Sequence, residues 1–235
     1  VMYKALGICR CLQDFENMLD SLPKPWGVEA NFGIIDAFGG AAYYEVNNHS
    51  WKKYIVADQP GGYMVVTNFT RSGRKEDRKG EDRFEKTSEI MASAEIFTID
   101  HKFLFNEVSR TGKPIMRDIT SAAVVFEGVS SGEDPCNTVM WTLLGSPTNT
   151  VYVPLKVFAS DHIPYYMKKS PESDNAAICD DAFALKAAFG FEYGCGEACR
   201  EVEKYVDRHF SNDMPVRCYD RFTRRIYRRY LKICV

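Results

Sequence analysis

At 235 residues and 45% hydrophobic content, the chain is long enough to bury a sizeable core, as one large domain or two small ones, which excludes a disordered class. Thirty basic residues against thirty-two acidic ones leave a net charge of −2, so bulk charge draws it neither to nucleic acid nor to a membrane surface. No stretch approaches ~18 uninterrupted apolar residues, so no membrane span is expected, and residues 1–11 lack the basic n-region and small-residue cleavage site of a signal peptide.

In chain order, apolar residues at Leu6, Ile8, Phe15, Met18, Leu19 and Leu22 recur at a helical period, predicting a helix over 2–22 that Pro23 and Pro25 stop. From Asn31 to Asn68 the texture changes to short β-branched and aromatic runs: FGIID, AAYYEV, WKKYIVA and YMVVTN. Gly39-Gly40, Asn47-Asn48 and Pro60-Gly61-Gly62 punctuate them, and the pattern predicts an antiparallel meander of four strands. The run RSGRKEDRKGEDRFEK, residues 71–86, is too polar to bury and reads as a charged loop entering a helix over 84–94. Asp100 is placed to cap a further helix reaching Arg110. SAAVVFEGV, NTVMWTLLG and TVYVPLKVF then read as more strands, either a second sheet or additions to the first. Three helices follow, over 182–189, 198–209 and 219–233.

Helix, strands, helices, strands, helices is the order of an α+β chain with helices layered on antiparallel sheet. The expected organisation is one domain over 1–235, with a connector helix at 1–26, a core at 27–170 and a helical tail at 171–235. Arg217, Arg221, Arg224, Arg225, Arg228 and Arg229 alternate with Phe222, Ile226 and Tyr230 at helical spacing, an amphipathic surface helix rather than a nucleic-acid site.

The eight cysteines do not define a disulfide framework by density. Cys195 and Cys199 form a C-x3-C pair with no finger-like His pair after it, so a disulfide or two buried thiols is preferred to zinc. The four histidines form no ligand pair, and no metal or cofactor is expected. Asp36 and Glu45 lie in the predicted hairpin and are read as structural carboxylates, away from the expected pocket.

The segment GVEANFGIIDAFGGAAYYEVNN, followed by GYMVVTNFTRSG and EDRF, resembles the acyl-coenzyme A:6-aminopenicillanic-acid acyltransferase group and its relatives. Those relatives are the choloylglycine (bile-salt) hydrolases, penicillin V acylases and acid-ceramidase-like amidases. MWTLLGSPTNTVYVPL, residues 140–155, resembles the segment in which that group returns to its sheet. The matches cover roughly the first two-thirds of the chain. They imply the four-layer αββα N-terminal-nucleophile fold, incomplete at its N-terminus, and hydrolysis or acyl transfer at a linear amide C–N bond.

By that resemblance, the Asn of Thr67-Asn68 is an oxyanion-hole donor at the end of a strand, aimed where a carbonyl oxygen becomes anionic. Asn68-Phe69-Thr70 also reads as a turn or a glycosylation sequon. Arg83 of EDRF stands where the relatives carry an active-site Arg that orients the site or binds a substrate carboxylate, while its basic neighbours allow a solvated helix start instead. The nucleophile of the group is an N-terminal Cys whose own amine is the base, a role Val1 cannot fill. The resemblance therefore implies a nucleophile on an upstream segment removed from this chain, and the alternative is an inactive relative that binds small molecules or proteins. The implied partners are a small-molecule amide, that upstream segment and, as in the relatives, further copies of the chain. Secreted or periplasmic location is favoured over cytoplasmic.

Overall fold

The computed structural model describes residues 1–74, 76, 78–95, 98–157 and 162–234. The charged-loop expectation at Lys75 and Asp77 and the strand expectation at Phe158 lie outside the described residues. The chain divides into two compact units, one of Val1–Phe97 with Gly128–Pro135, the other of Thr98–Glu127 with Cys136–Val235. Among the described residues it is an α+β protein of seven helices and two three-stranded antiparallel sheets.

The first unit begins with two helices, α1 (Met2–Ile8) and α2 (Leu12–Ser21), where the sequence pattern predicted one. Cys9 and Cys11 are extended between them. Asp14 explains the break: its carboxylate reaches back to the Arg10 N–H at 2.8 Å, and Asp36 accepts from the Leu12 N–H at 3.1 Å, so side chains start α2 afresh. Phe15, Met18 and Leu19 of α2 then bury against Ala42, Tyr44 and Val46. Each large apolar side chain buried this way stabilises by about 1.5–3 kcal/mol.

Those partners lie on one face of β2 (Ala41–Val46), the central strand between β1 (Ala30–Ile35) and β3 (Trp51–Ile55). Ile35 pairs with Ala41 and Val46 with Trp51, the register of two successive hairpins. The first turn works because Asp36 accepts from the Phe38 and Gly40 N–H groups at 2.9 and 2.7 Å, and Gly39 takes φ +81°. In the second, Asn47 accepts from the His49 and Ser50 N–H groups, both at 2.8 Å.

The fourth expected strand, YMVVTN, does not form. Tyr63–Thr67 follow two positive-φ glycines, Gly61 and Gly62, and every residue of the run is half-buried, without the two-faced alternation a ladder needs. Among the described residues its β-rich composition finds a single antiparallel bridge, Asn68 to Lys79. The charged loop ends at α3 (Glu81–Ser93).

In the second unit Asp100 caps α4 (His101–Phe103) by accepting from the Phe103 N–H at 2.8 Å, and a π-helical turn, Leu104–Ser109, continues it. The sheet is β4 (Ala122–Glu127), β5 (Val139–Leu144) and β6 (Val153–Lys156), antiparallel in that order. α5 (Ala177–Phe189), α6 (Gly196–His209) and α7 (Val216–Tyr230) complete the unit. Their inward residues Ile178, Val206, Phe222 and Ile226 share one core with Trp141 and Leu143 of β5. Inside it, Arg110 and Glu203 form a buried two-pronged ion pair at 2.6 and 3.0 Å. Arg110 also donates to the Pro147 and Thr150 carbonyls at 2.8 and 3.1 Å, and the Tyr152 N–H donates to Glu203 at 3.2 Å. Cys195 and Cys199 are joined as a disulfide across the first turn of α6.

Candidate functional site

An open groove of about 720 Å³ runs along β1 and β2 in the first unit, lined by Asn31, Glu45, Asn47, Asn68, Thr70 and Ser72 among others. Asn68 is exposed on the groove wall, on a loop rather than at the strand end expected for it. Its neighbour Phe69 is buried, meeting Phe84 of α3 edge-on at 5.3 Å with the Arg78 guanidinium over its ring at 4.8 Å. The anchor of the loop is thus the residue after Asn68. Thr67 Oγ1 fixes the other side by donating to the Gly80 carbonyl at 3.0 Å.

The two residues picked from sequence meet. Arg83, on the first turn of α3, donates from Nη2 to Asn68 Oδ1. Its neighbours pair with carboxylates, Arg78 with Glu81 at 3.6 Å and Lys86 with Glu89 at 2.9 Å, whereas Arg83 turns to the carboxamide. Arg83 itself does not line the groove; it reaches the site through Asn68.

Gly80 makes this contact feasible. It caps α3 at φ +78°, and a Cβ on it would run into the Arg83 guanidinium, so a glycine three residues before the Arg is needed twice over. Sequence reasoning passed over that spacing, although G-x-x-R before an apolar-periodic run carried it.

With its oxygen engaged by a cation, the Asn68 carboxamide is oriented with its N–H2 away from Arg83, and a charge-assisted bond at the oxygen polarises those N–H bonds further. The arrangement is suited to donating a hydrogen bond to an oxygen that gains negative charge.

Glu45 was expected to lie away from the pocket, and instead lines the groove. It occupies the β2 face opposite to Tyr44, whose side chain is in the core, so the period-2 pattern that marks Tyr44 as inward sends Glu45 to the groove side. Asp36 keeps the structural place predicted for it, in the β1–β2 turn.

Burial pushes the Cys9 thiol upward, with Asp14 adding to it, and burial does the same for Cys179 and Cys234. These three are therefore poor thiolate nucleophiles at neutral pH. His101 stacks on Trp141 at 3.7 Å between rings, with Nε2 3.3 Å from Asp207, a packing role rather than a base facing the groove. Among the described residues no three His, Cys, Asp or Glu side chains gather as a metal site, and no helix is long and apolar enough to cross a membrane.

Fold and site together define an α+β protein whose first unit presents a polar groove walled by one arginine-backed asparagine. No protein-family model matches the sequence, and neither a curated protein nor a solved structure matches it.

Proposed function

We propose that this chain is the C-terminal part of an N-terminal-nucleophile amidase or acyltransferase, cleaving or transferring the acyl group of a small, partly apolar linear amide. The observation that carries the reading is the Asn68–Arg83 contact: two residues 15 apart in sequence, both picked out by the same resemblance, meet beside a groove, with no hydrogen-bond partner for the amide nitrogen among the described residues. In this mechanism a Cys upstream of residue 1 attacks the substrate carbonyl, its own α-amine taking the thiol proton. Asn68 Nδ2 donates to the resulting oxyanion, and Arg83 holds the carboxamide in the orientation that makes this donation possible. Collapse of the tetrahedral species expels the amine, and water or a second amine then takes the acyl group from sulfur.

The same reading takes the complete protein as an αββα fold. Each sheet, considered in its own unit, packs one face against helices: β2 on α2, and β5 in the core shared with α5, α6 and α7.

Incubating the full-length protein with N-acyl amino acids of graded chain length, and following amine release together with the intact mass, tests the reading. Turnover with a transient acyl adduct on an N-terminal Cys is the expected result; no turnover and no adduct across the series would reject it. The exposure of Asn68 favours one second reading, an inactive relative that uses the same groove for binding, which predicts saturable binding of these amides without turnover.

A further inference from the structure

We propose that Glu45 is a positioning residue that anchors the Asn68 loop to the sheet, and that through this anchor it sets the rate of the reaction; the second half rests on the amidase reading. Glu45 is 5% exposed and central in its sheet, opposite Asn31 on β1 and Lys52 on β3. Its carboxylate carries four donors. Oε1 accepts from the Arg71 N–H, while Oε2 accepts from the Ser72 N–H at 3.2 Å, Ser72 Oγ at 2.5 Å and the Tyr54 hydroxyl at 3.1 Å.

The Glu45 carboxylate thus accepts from two backbone N–H groups and two hydroxyls, donors that satisfy its oxygens where it is buried. The Arg71 guanidinium points elsewhere, lying over the Tyr54 ring at 5.5 Å. Opposite Glu45, Asn31 Nδ2 donates to the Phe69 carbonyl at 3.2 Å. Two paired strand residues therefore grip positions 69, 71 and 72, the backbone immediately following Asn68. Asn68 is exposed, so its place on the groove wall is inherited from these grips, from the Lys79 bridge and from Arg83. A shift of about 1 Å at a donor costs on the order of 10²-fold in rate, and the loop has that freedom once its carboxylate anchor is lost.

Glu45→Gln keeps the shape but turns one acceptor into an N–H2 facing N–H and O–H donors. Hydrogen exchange on the full-length protein reads the anchor directly, without any activity. The expected result is roughly tenfold faster exchange at Arg71 and Ser72, with Tyr44 in the adjoining strand unchanged. Unchanged exchange at Arg71 and Ser72 overturns the anchor. Should Glu45→Gln fail to fold, Ser72→Ala removes one of the four donors and is read in the same way.

The kinetic half is read in a double-mutant cycle with Asn68→Ala. If Glu45 acts through Asn68, Glu45→Gln lowers kcat by roughly 10-fold to 10²-fold with little change in KM, and the loss is not multiplied in the Asn68→Ala background. Fully multiplicative losses, or an unchanged kcat, overturn the positioning role. If Asn68→Ala alone leaves kcat intact, the oxyanion role of Asn68 fails and with it the kinetic half, the amidase reading failing separately if no amide is turned over; the exchange data still decide whether Glu45 anchors the loop.

Discussion

Asn68 and Arg83 are joined through the carboxamide oxygen, so the asparagine's orientation is dictated by a residue on the first turn of α3. A neutral amide pinned by a cation on one side can act only as a donor on the other. Removing the pin should therefore cost catalysis before stability. Arg83→Ala is expected to lower kcat about 10–10²-fold while thermal unfolding moves little, because the side chain is only half-buried. Gly80→Ala should reproduce part of that loss, since its Cβ displaces the same guanidinium and its φ of +78° strains an alanine. Steady-state kinetics beside a melting curve separate the two effects.

The stability of the second unit hinges on a different pair. Glu203→Ala leaves the buried Arg110 charge uncompensated and is expected to destabilise by about 3–5 kcal/mol. A double replacement, Arg110→Met with Glu203→Leu, should recover most of that loss, because two apolar groups demand no counter-charge. Urea unfolding of the single and double variants checks both statements.

Much of this was legible in the sequence, and the failures share one cause. Alternation in AAYYEV and the turn chemistry of Asp36 and Asn47 are local, so β1, β2 and β3 could be read directly. The Asp100 cap and the three C-terminal helices were local too. The break between α1 and α2 depends partly on Asp36, 24 residues from Leu12, and pattern alone could not supply it. YMVVTN failed as a strand because propensity does not provide a ladder partner. The groove-side place of Glu45 had no local signal, because its partners Arg71 and Ser72 are 26 and 27 residues away. The return of Gly128–Pro135 to the first unit is likewise a long-range fact with no local signal.

Acid should weaken the start of α4. Burial raises the Asp100 carboxyl, but the Phe103 N–H and Lys102 outweigh it, so the folded value lies below 3.8. A depressed carboxylate contributes stability above its unfolded pKa and loses it as pH falls through the folded one, a window below about pH 4. Asp100→Ala should cost about 0.5–2 kcal/mol at neutral pH and flatten the acid limb of the stability curve in that window.

Alkali acts on the tyrosines. Burial, with Glu45 adding, pushes Tyr43 up to about 12, and burial raises Tyr44, Tyr152, Tyr166, Tyr219, Tyr227 and Tyr230 as well. Phenols with raised pKa values stabilise the fold below about pH 10, their unfolded value, and that contribution is lost as pH rises through the folded ones. Absorbance at 295 nm should show these seven of the thirteen tyrosines still protonated near pH 11, ionising only as the protein unfolds.

The central claim, an Asn68 amide that donates to a developing oxyanion, is tested most directly by kcat for amide hydrolysis in the full-length protein and its Asn68→Ala variant. A fall of about 10²–10³-fold, with KM and the melting temperature nearly unchanged, is what the account predicts. Equal kcat values in a protein that hydrolyses the amide would contradict it.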